Sequence, residues 1–163
     1  MKEKLKKNLI RYGLILLVAG FLVGVDLVTK KIFFGHDMTL IYNFLTFETQ
    51  MNDGAALGIF SGQMGLLIAS TFVFIALLLA YDWFYKQDSV LYFIGLNLIL
   101  AGAVGNLVDR LCFGYVRDFI RVHLKIMPYC FNFADMFLTF GVIFMLICVL
   151  FPKNKEKKGM KNN

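Results

Sequence analysis

Asp118 and Asp135 are the carboxylates of this chain best suited to shared acid–base work. Each falls just outside or at the mouth of a long apolar stretch, where the dielectric is low. Two neighbouring carboxylates in such a place do not both ionise easily; one keeps a proton and the pair titrates together. That arrangement suits the splitting of an amide by water. The charged carboxylate takes a proton from water and the neutral one polarises or protonates the carbonyl. The same two residues also fit a plainer role, as a surface aspartate near Arg117 or Arg121 and an acidic residue in the first turn of a helix. The spacing leaves both roles open.

Stepping along the chain, eight further polar residues fall at comparable places. Asp26 and Lys30 close one apolar span, Asn52 and Asp53 precede the next, Asn106, Asp109 and Arg110 close a third, and Asn132 opens a fourth. The spans cover about residues 9–28, 62–81, 89–108 and 135–151, each near the roughly 20 residues that a membrane-crossing helix needs. With four crossings, all ten residues map to the side opposite the termini. Polar groups at membrane depth are costly, so their convergence predicts a site. The outer segments are 29–61 and 109–134, the tails 1–8 and 152–163, and the whole of 1–163 reads as a single membrane domain.

Composition agrees. Of 163 residues 59% are hydrophobic, above the roughly 45–50% of soluble domains. The net charge is +6, and ten of the 17 lysines and arginines crowd into residues 2–11 and 153–161. That places both termini on the cytoplasmic face, against anionic lipid headgroups. Nucleic-acid binding is not expected, since no basic face interleaved with aromatics lies outside the membrane. The basic, then apolar start resembles a signal peptide, but without an evident small-residue cleavage site it reads as a retained anchor. Trp83 reads as an interfacial anchor and Arg11 as a snorkelling cation.

The outer segments are not disordered in composition. Residues 39–48 alternate with a two-residue period and predict a strand or hairpin, with Asn52-Asp53-Gly54 as a turn. A second alternation runs over Arg121 to Ile126 and stops at Pro128. Together they predict a small sheet lying on the membrane surface. Three cysteines give no framework; Cys148 reads as packing, and Cys112 and Cys130 flank the outer loop and could pair, although the odd count and the lack of zinc spacing speak against it. The absence of HExxH argues against a zinc peptidase, and no cofactor or metal is indicated.

The supporting residues each carry two readings. Asn132 precedes Asp135 by three, so it is either a helix N-cap or an amide that orients an aspartate or holds a substrate backbone. Asn106 and Arg110 share a helical face; Arg110 either binds a peptide carbonyl or offsets a carboxylate, and the plainer alternative is an interfacial ion pair between Asp109 and a basic neighbour. Asp26 and Lys30, at i and i+4, read first as a structural salt bridge. Gly54, Gly105 and the small residues around them read first as helix-packing positions, with close approach to an extended substrate as the functional alternative for the two glycines.

Five blocks in order resemble one family, the bacterial type II prolipoprotein signal peptidases. Asp26-Leu-Val-Thr-Lys30, Asn52-Asp-Gly-Ala-Ala-Leu-Gly58, Gly105-Asn-Leu-Val-Asp-Arg110, Asp118-Phe-Ile120 and Phe131-Asn-Phe-Ala-Asp135 match its motifs across nearly the whole chain. The resemblance implies an integral membrane, mainly α fold of four transmembrane helices with a small extracytoplasmic β-cradle. It implies an aspartic peptidase with the dyad on Asp118 and Asp135. Asn52, Asn106, Arg110 and Asn132 would line the site, and Asp26 and Lys30 would support it. The implied substrate is a lipidated prolipoprotein, cut before its diacylglyceryl-cysteine. Two departures stand out. Arg117 replaces a usual valine beside Asp118, where a cation would lower the carboxylate pKa, and Met136 replaces a small residue after Asp135.

The expectation is therefore a monomeric inner-membrane endopeptidase with its site toward the outer leaflet and membrane lipids as its surroundings. A proton-coupled small transporter using interfacial carboxylates is the alternative, although the second and third spans are uncharged through their centres, where transporter sites tend to lie. A non-enzymatic membrane scaffold is the third reading.

Overall fold

A computed structural model describes residues 2–55, 59–85, 87–124 and 129–151. The chain runs α1 (Lys2–Phe33), β1 (Met38–Ile41), β2 (Leu45–Asn52), α2 (Met64–Phe84), α3 (Val90–Phe113), β3 (Val116–Val122), β4 (Tyr129–Phe131) and α4 (Phe133–Leu150). All four helices are long and apolar enough to cross a membrane. Two-thirds of the most apolar window of α3 is buried, against 6–17% for the other three, so α3 is the central helix and the rest turn wide apolar faces outward. Helices that are apolar on their exposed faces belong in lipid.

The helices exceed the spans expected from hydropathy. α1 continues to Phe33 because its last turns are packed beneath the sheet, with the Phe33 ring 4.5 Å from Phe47 and 5.6 Å from Phe119. α2 runs on through Asp82 and Trp83, past the expected end of its span at residue 81. There Arg11 does not snorkel free: its Nη2 reaches Asp82 Oδ1 at 2.6 Å, and Asp82 is fully buried. Trp83 is exposed on one side and stacks on Tyr12 at 5.8 Å.

The outer segments form one antiparallel sheet of order β1-β2-β3-β4. β1 and β2 make the expected hairpin, turning at residues 42–44 with Asn43 in the left-handed region (φ 55°) that asparagine tolerates. β3 starts earlier than the second alternation suggested, at Val116, and the Lys125–Pro128 part of that alternation lies outside the described residues. So do Ala56 to Gly58 of the second motif block and the lysines after residue 151. Asn52-Asp53-Gly54 does turn, with Gly54 N donating to Asn52 Oδ1 at 3.0 Å.

Glycines let α3 and α4 close on one another. A Cβ at Gly102 would strike the Ala134 carbonyl, and one at Gly105 would stand 2.6 Å from Asp26 Oδ2. At the opposite end, Ile15, Tyr92, Leu96, Leu100 and Cys148 form the apolar core.

Candidate active site

Local structure aims the two aspartates. β2 and β3 pair with Gln50 opposite Asp118 and Asn52 opposite Val116, which sets Asn52 diagonally across from Asp118. Asn52 Nδ2 donates to Asp118 Oδ2 at 3.0 Å. Asp135 is aimed by the start of α4. Asn132 caps that helix reciprocally: Asp135 N donates to Asn132 Oδ1 at 3.0 Å, and Asn132 N to Asp135 Oδ2 at 3.3 Å. Asn132 thus fills both of its sequence roles, because its Nδ2 also donates to Asp118 Oδ1 at 2.6 Å and to Asn106 Oδ1 at 3.2 Å. Asn106 Nδ2 completes the circuit to Asp135 Oδ1 at 2.7 Å. Two asparagines therefore join carboxylates that lie 17 residues apart.

Behind this circuit is a buried charge cluster. Lys30 Nζ lies 2.8 Å from Asp26 Oδ2, 3.2 Å from Asp109 Oδ2 and 3.1 Å from Asn106 Oδ1. The Asp26–Lys30 salt bridge is present, but it is more than local: Asp26 Oδ1 accepts from Ala134 N at 2.9 Å and so holds the first turn of α4. Asp109 pairs with two cations, Lys30 and Arg117.

Arg117 does not act on Asp118 as the sequence suggested. Successive residues of a strand point to opposite faces. The Arg117 guanidinium turns away to Asp109 at 2.7 Å and covers the Phe113 ring at 4.5 Å. Asp118 instead has its pKa pushed up to about 7, first by burial and then by the charge of Asp135, against the pull of the Asn52 and Asn132 amides. A carboxyl in that state holds its proton near neutrality.

A cavity of about 380 Å³ opens beside the circuit. Asn52 and Ala55 border it from the sheet side, Ala103, Asn106 and Arg110 from α3, Asp135 and Leu138 from α4, and Ser70, Thr71 and Phe74 from α2. Arg110 Nη2 donates to Gly54 O at 3.0 Å, which ties Gly54 to the rim through its backbone. Asp135 lines the cavity; Asp118 is fully buried behind Asn52 and Asn132. Asp53 does not join the cluster and accepts from Ser61 Oγ at 2.6 Å. The α2 wall and Tyr129, also at the cavity, went unnoticed in the sequence. For α2 the available signal was Ser70-Thr71, its only serine and threonine.

Cys112 and Cys130 do not pair. Cys112 is exposed at the end of α3, whereas Cys130 is buried in β4 with its thiol turned to the Glu48 carbonyl, 3.6 Å away. Burial, and then Asp118, push that thiol up to about 12, so it stays protonated. Among the described residues no three His, Cys, Asp or Glu side chains gather as a metal site.

Fold and site together define a polytopic membrane protein with a carboxylate pair at one end of its helix bundle, tied by amides and facing a cavity. Residues 8–151 match the family described as signal peptidase (SPase) II, and the chain belongs to that family of peptidases. It is 38% identical to a lipoprotein signal peptidase of Clostridium novyi over 74% of this chain and 83% of that one. It is 34% identical to one of Staphylococcus haemolyticus over 93% and 99% of the two chains. A solved bacterial membrane enzyme, determined by the in meso method at 2.3 Å resolution, superposes with a TM-score of 0.77 at 34% identity, covering 93% of this chain and 94% of that one.

Proposed function

We propose that this protein is an intramembrane aspartic endopeptidase that removes the signal peptide from lipid-modified prolipoproteins, cutting before the diacylglyceryl-cysteine. The relatives named lipoprotein signal peptidases support the substrate class. The observation that carries the catalytic type is the Asp118–Asn132–Asn106–Asp135 circuit at the wall of a cavity. Asp118, buried and with a pKa near 7, keeps the proton of the pair behind the Asn52 and Asn132 amides. Asp135, at the cavity, takes a proton from the attacking water. Arg110 and Asn52 hold the peptide beside them, and Lys30, Asp26 and Gly54 support the arrangement. No cofactor takes part.

The lysine-rich tails support a cytoplasmic placement of both termini, which puts the sheet and the site at the outer leaflet of the bacterial inner membrane. The lipid-bearing substrate then enters sideways from the bilayer, and one protein molecule suffices. The test is purified protein reconstituted in lipid and given one lipidated and one unlipidated precursor peptide. Wild type cleaves the lipidated peptide, and Asp118→Asn and Asp135→Asn do not. Normal turnover by either variant ends the dyad assignment.

A further inference from the structure

One wall of the cavity has a hydrogen-bonding character that the acid–amide circuit does not use. α2 is apolar from Met64 to Leu79 except at Ser70 and Thr71, and both line the cavity. They share one helix face with Leu67 and Phe74, at the i, i+3, i+4 and i+7 spacing, and of these four Leu67 is buried while Ser70 and Phe74 are exposed. A hydroxyl has one proton to give. Ser70 Oγ gives its proton to Leu67 O at 3.0 Å, and Thr71 Oγ1 gives its own to the same carbonyl at 2.7 Å. With their protons committed within the helix, both hydroxyl oxygens of these cavity-lining residues are left as acceptors. The α3 wall has the opposite character. Arg110 spends Nη2 on Gly54 O, and its buried Nε has no partner. The cavity thus has hydroxyl acceptors on α2 and the Arg110 guanidinium on α3, with its Nε closed off from the cavity.

A peptide bond needs both. A substrate that crosses the membrane as a helix has all its backbone groups paired, but it must unwind before its amide can be attacked. At membrane depth each freed N–H and C=O then requires a protein partner. Ser70 and Thr71 stand seven and eight residues into α2, about 10 Å along its axis, whereas Asp135 is the third residue of α4. The hydroxyls therefore face the portion of substrate still within the bilayer, upstream of the scissile bond.

We propose that Ser70 and Thr71 are specificity-determining residues that accept hydrogen bonds from the unwound backbone N–H groups of the substrate just upstream of the cleavage site. This rests on the peptidase reading of the same cavity. It assigns to α2 a role beyond walling the site, and it predicts recognition of backbone rather than side chain at those substrate positions.

The test uses reconstituted enzyme and a lipidated precursor peptide in which the amides upstream of the scissile bond are replaced, one at a time, by esters, which lack the N–H. The expected result with wild type is a fall in kcat/KM of about fivefold at one or two ester positions, the size of one neutral hydrogen bond. With Ser70→Ala/Thr71→Val, the all-amide peptide is cut about tenfold less efficiently, the ester penalty at those positions disappears, and the pH profile does not move. Thr71→Ser, which keeps the oxygen, restores the penalty at its position. Wild type indifferent to every ester, or an ester penalty unchanged in the double variant, overturns the proposal. Asp135→Asn, assayed alongside on the all-amide peptide, reports separately on the peptidase reading. If it cleaves normally, the dyad fails whatever the esters show.

Discussion

Lys30 Nζ donates to the side-chain oxygen of Asn106 at 3.1 Å, and together with the Asn132 amide this contact decides which end of Asn106 meets Asp135. An asparagine side chain is a donor on one side and an acceptor on the other. With its oxygen taken by Lys30 and by Asn132 Nδ2, Asn106 must present its NH₂ to Asp135, and it does so at 2.7 Å. A cation on α1 thereby fixes a donor toward a carboxylate on α4.

Removing that cation does two kinds of damage. Lys30→Met leaves Asp26 and Asp109 buried with only Arg117 to offset them. An uncompensated buried charge costs about 3–5 kcal/mol. The variant is expected to unfold at lower temperature in detergent and to lose kcat, because the Asn106 oxygen is then held by Asn132 alone. Adding Asp26→Asn removes one buried charge and recovers part of the thermal stability without recovering the rate. Recovery of both together would show that Lys30 acts on stability alone.

The pH dependence follows from Asp118. Its folded pKa of about 7 lies above its ordinary 3.8, so the folded protein binds the proton more tightly than the unfolded chain. The stability it contributes is complete below about pH 4 and is lost as pH rises toward and through 7. Cleavage loses the shared proton over the same upper range, so kcat/KM is expected to fall on the alkaline side with a midpoint near 7. Asn52 pulls this pKa down by donating to the carboxylate. Asn52→Leu should move the alkaline limb to higher pH, measured as initial rates from pH 5 to 9. A limb that moved down would contradict the assignment.

Glycine at 105 is a steric requirement of the same cluster. An added Cβ would stand 2.6 Å from Asp26 Oδ2 and 3.3 Å from the Ala134 methyl. Gly105→Ala therefore pushes apart α1, α3 and α4 where Asp26 holds Ala134 N. The expected cost is about 1–3 kcal/mol of overpacking, with reduced turnover. Gly24→Ala on α1, where a Cβ meets nothing within 4 Å, serves as the control and should leave melting and rate unchanged.

How much of this was legible depended on the range of each contact. The four apolar spans and the hairpin show in composition and in the two-residue period of residues 39–48. Asn132 and Asp135 are three residues apart, so their shared helix start could be read directly. Convergence of the ten polar residues followed from counting crossings, and only Asp53 stood apart. Beyond the local pairs Asp26–Lys30 and Asn132–Asp135, the partners within the cluster were not legible. Asn52 meets Asp118 through a strand register between segments 66 residues apart, and Arg117 turns to Asp109 rather than Asp118 because β3 is already pleated at that point. The cavity face of α2 was hidden for another reason: in a helix apolar all round, periodicity does not mark an inner side.

Asp82 was hidden because a charged residue at the end of an apolar run looks like the start of a loop. The helix continues through it because Arg11, 71 residues away, meets it at 2.6 Å, with the Arg11 guanidinium 6.0 Å from the Tyr92 ring. This pair joins α1 to α2 at the end of the bundle opposite the site. From Tyr92 to Asn106 is about 20 Å along α3 at 1.5 Å per residue, beyond the range at which separate substitutions usually interact. Arg11→Met leaves the fully buried Asp82 without its cation and is expected to cost about 3 kcal/mol. The alkaline limb of the rate profile should stay where it is. Arg11→Asp with Asp82→Arg should regain part of the loss, and Arg11→Met combined with Lys30→Met should destabilise by the sum of the two. Thermal melts and pH–rate profiles of these variants decide the matter. A shifted alkaline limb in Arg11→Met, or a double variant far from additive, would mean that the two ends of the bundle are energetically coupled through α3.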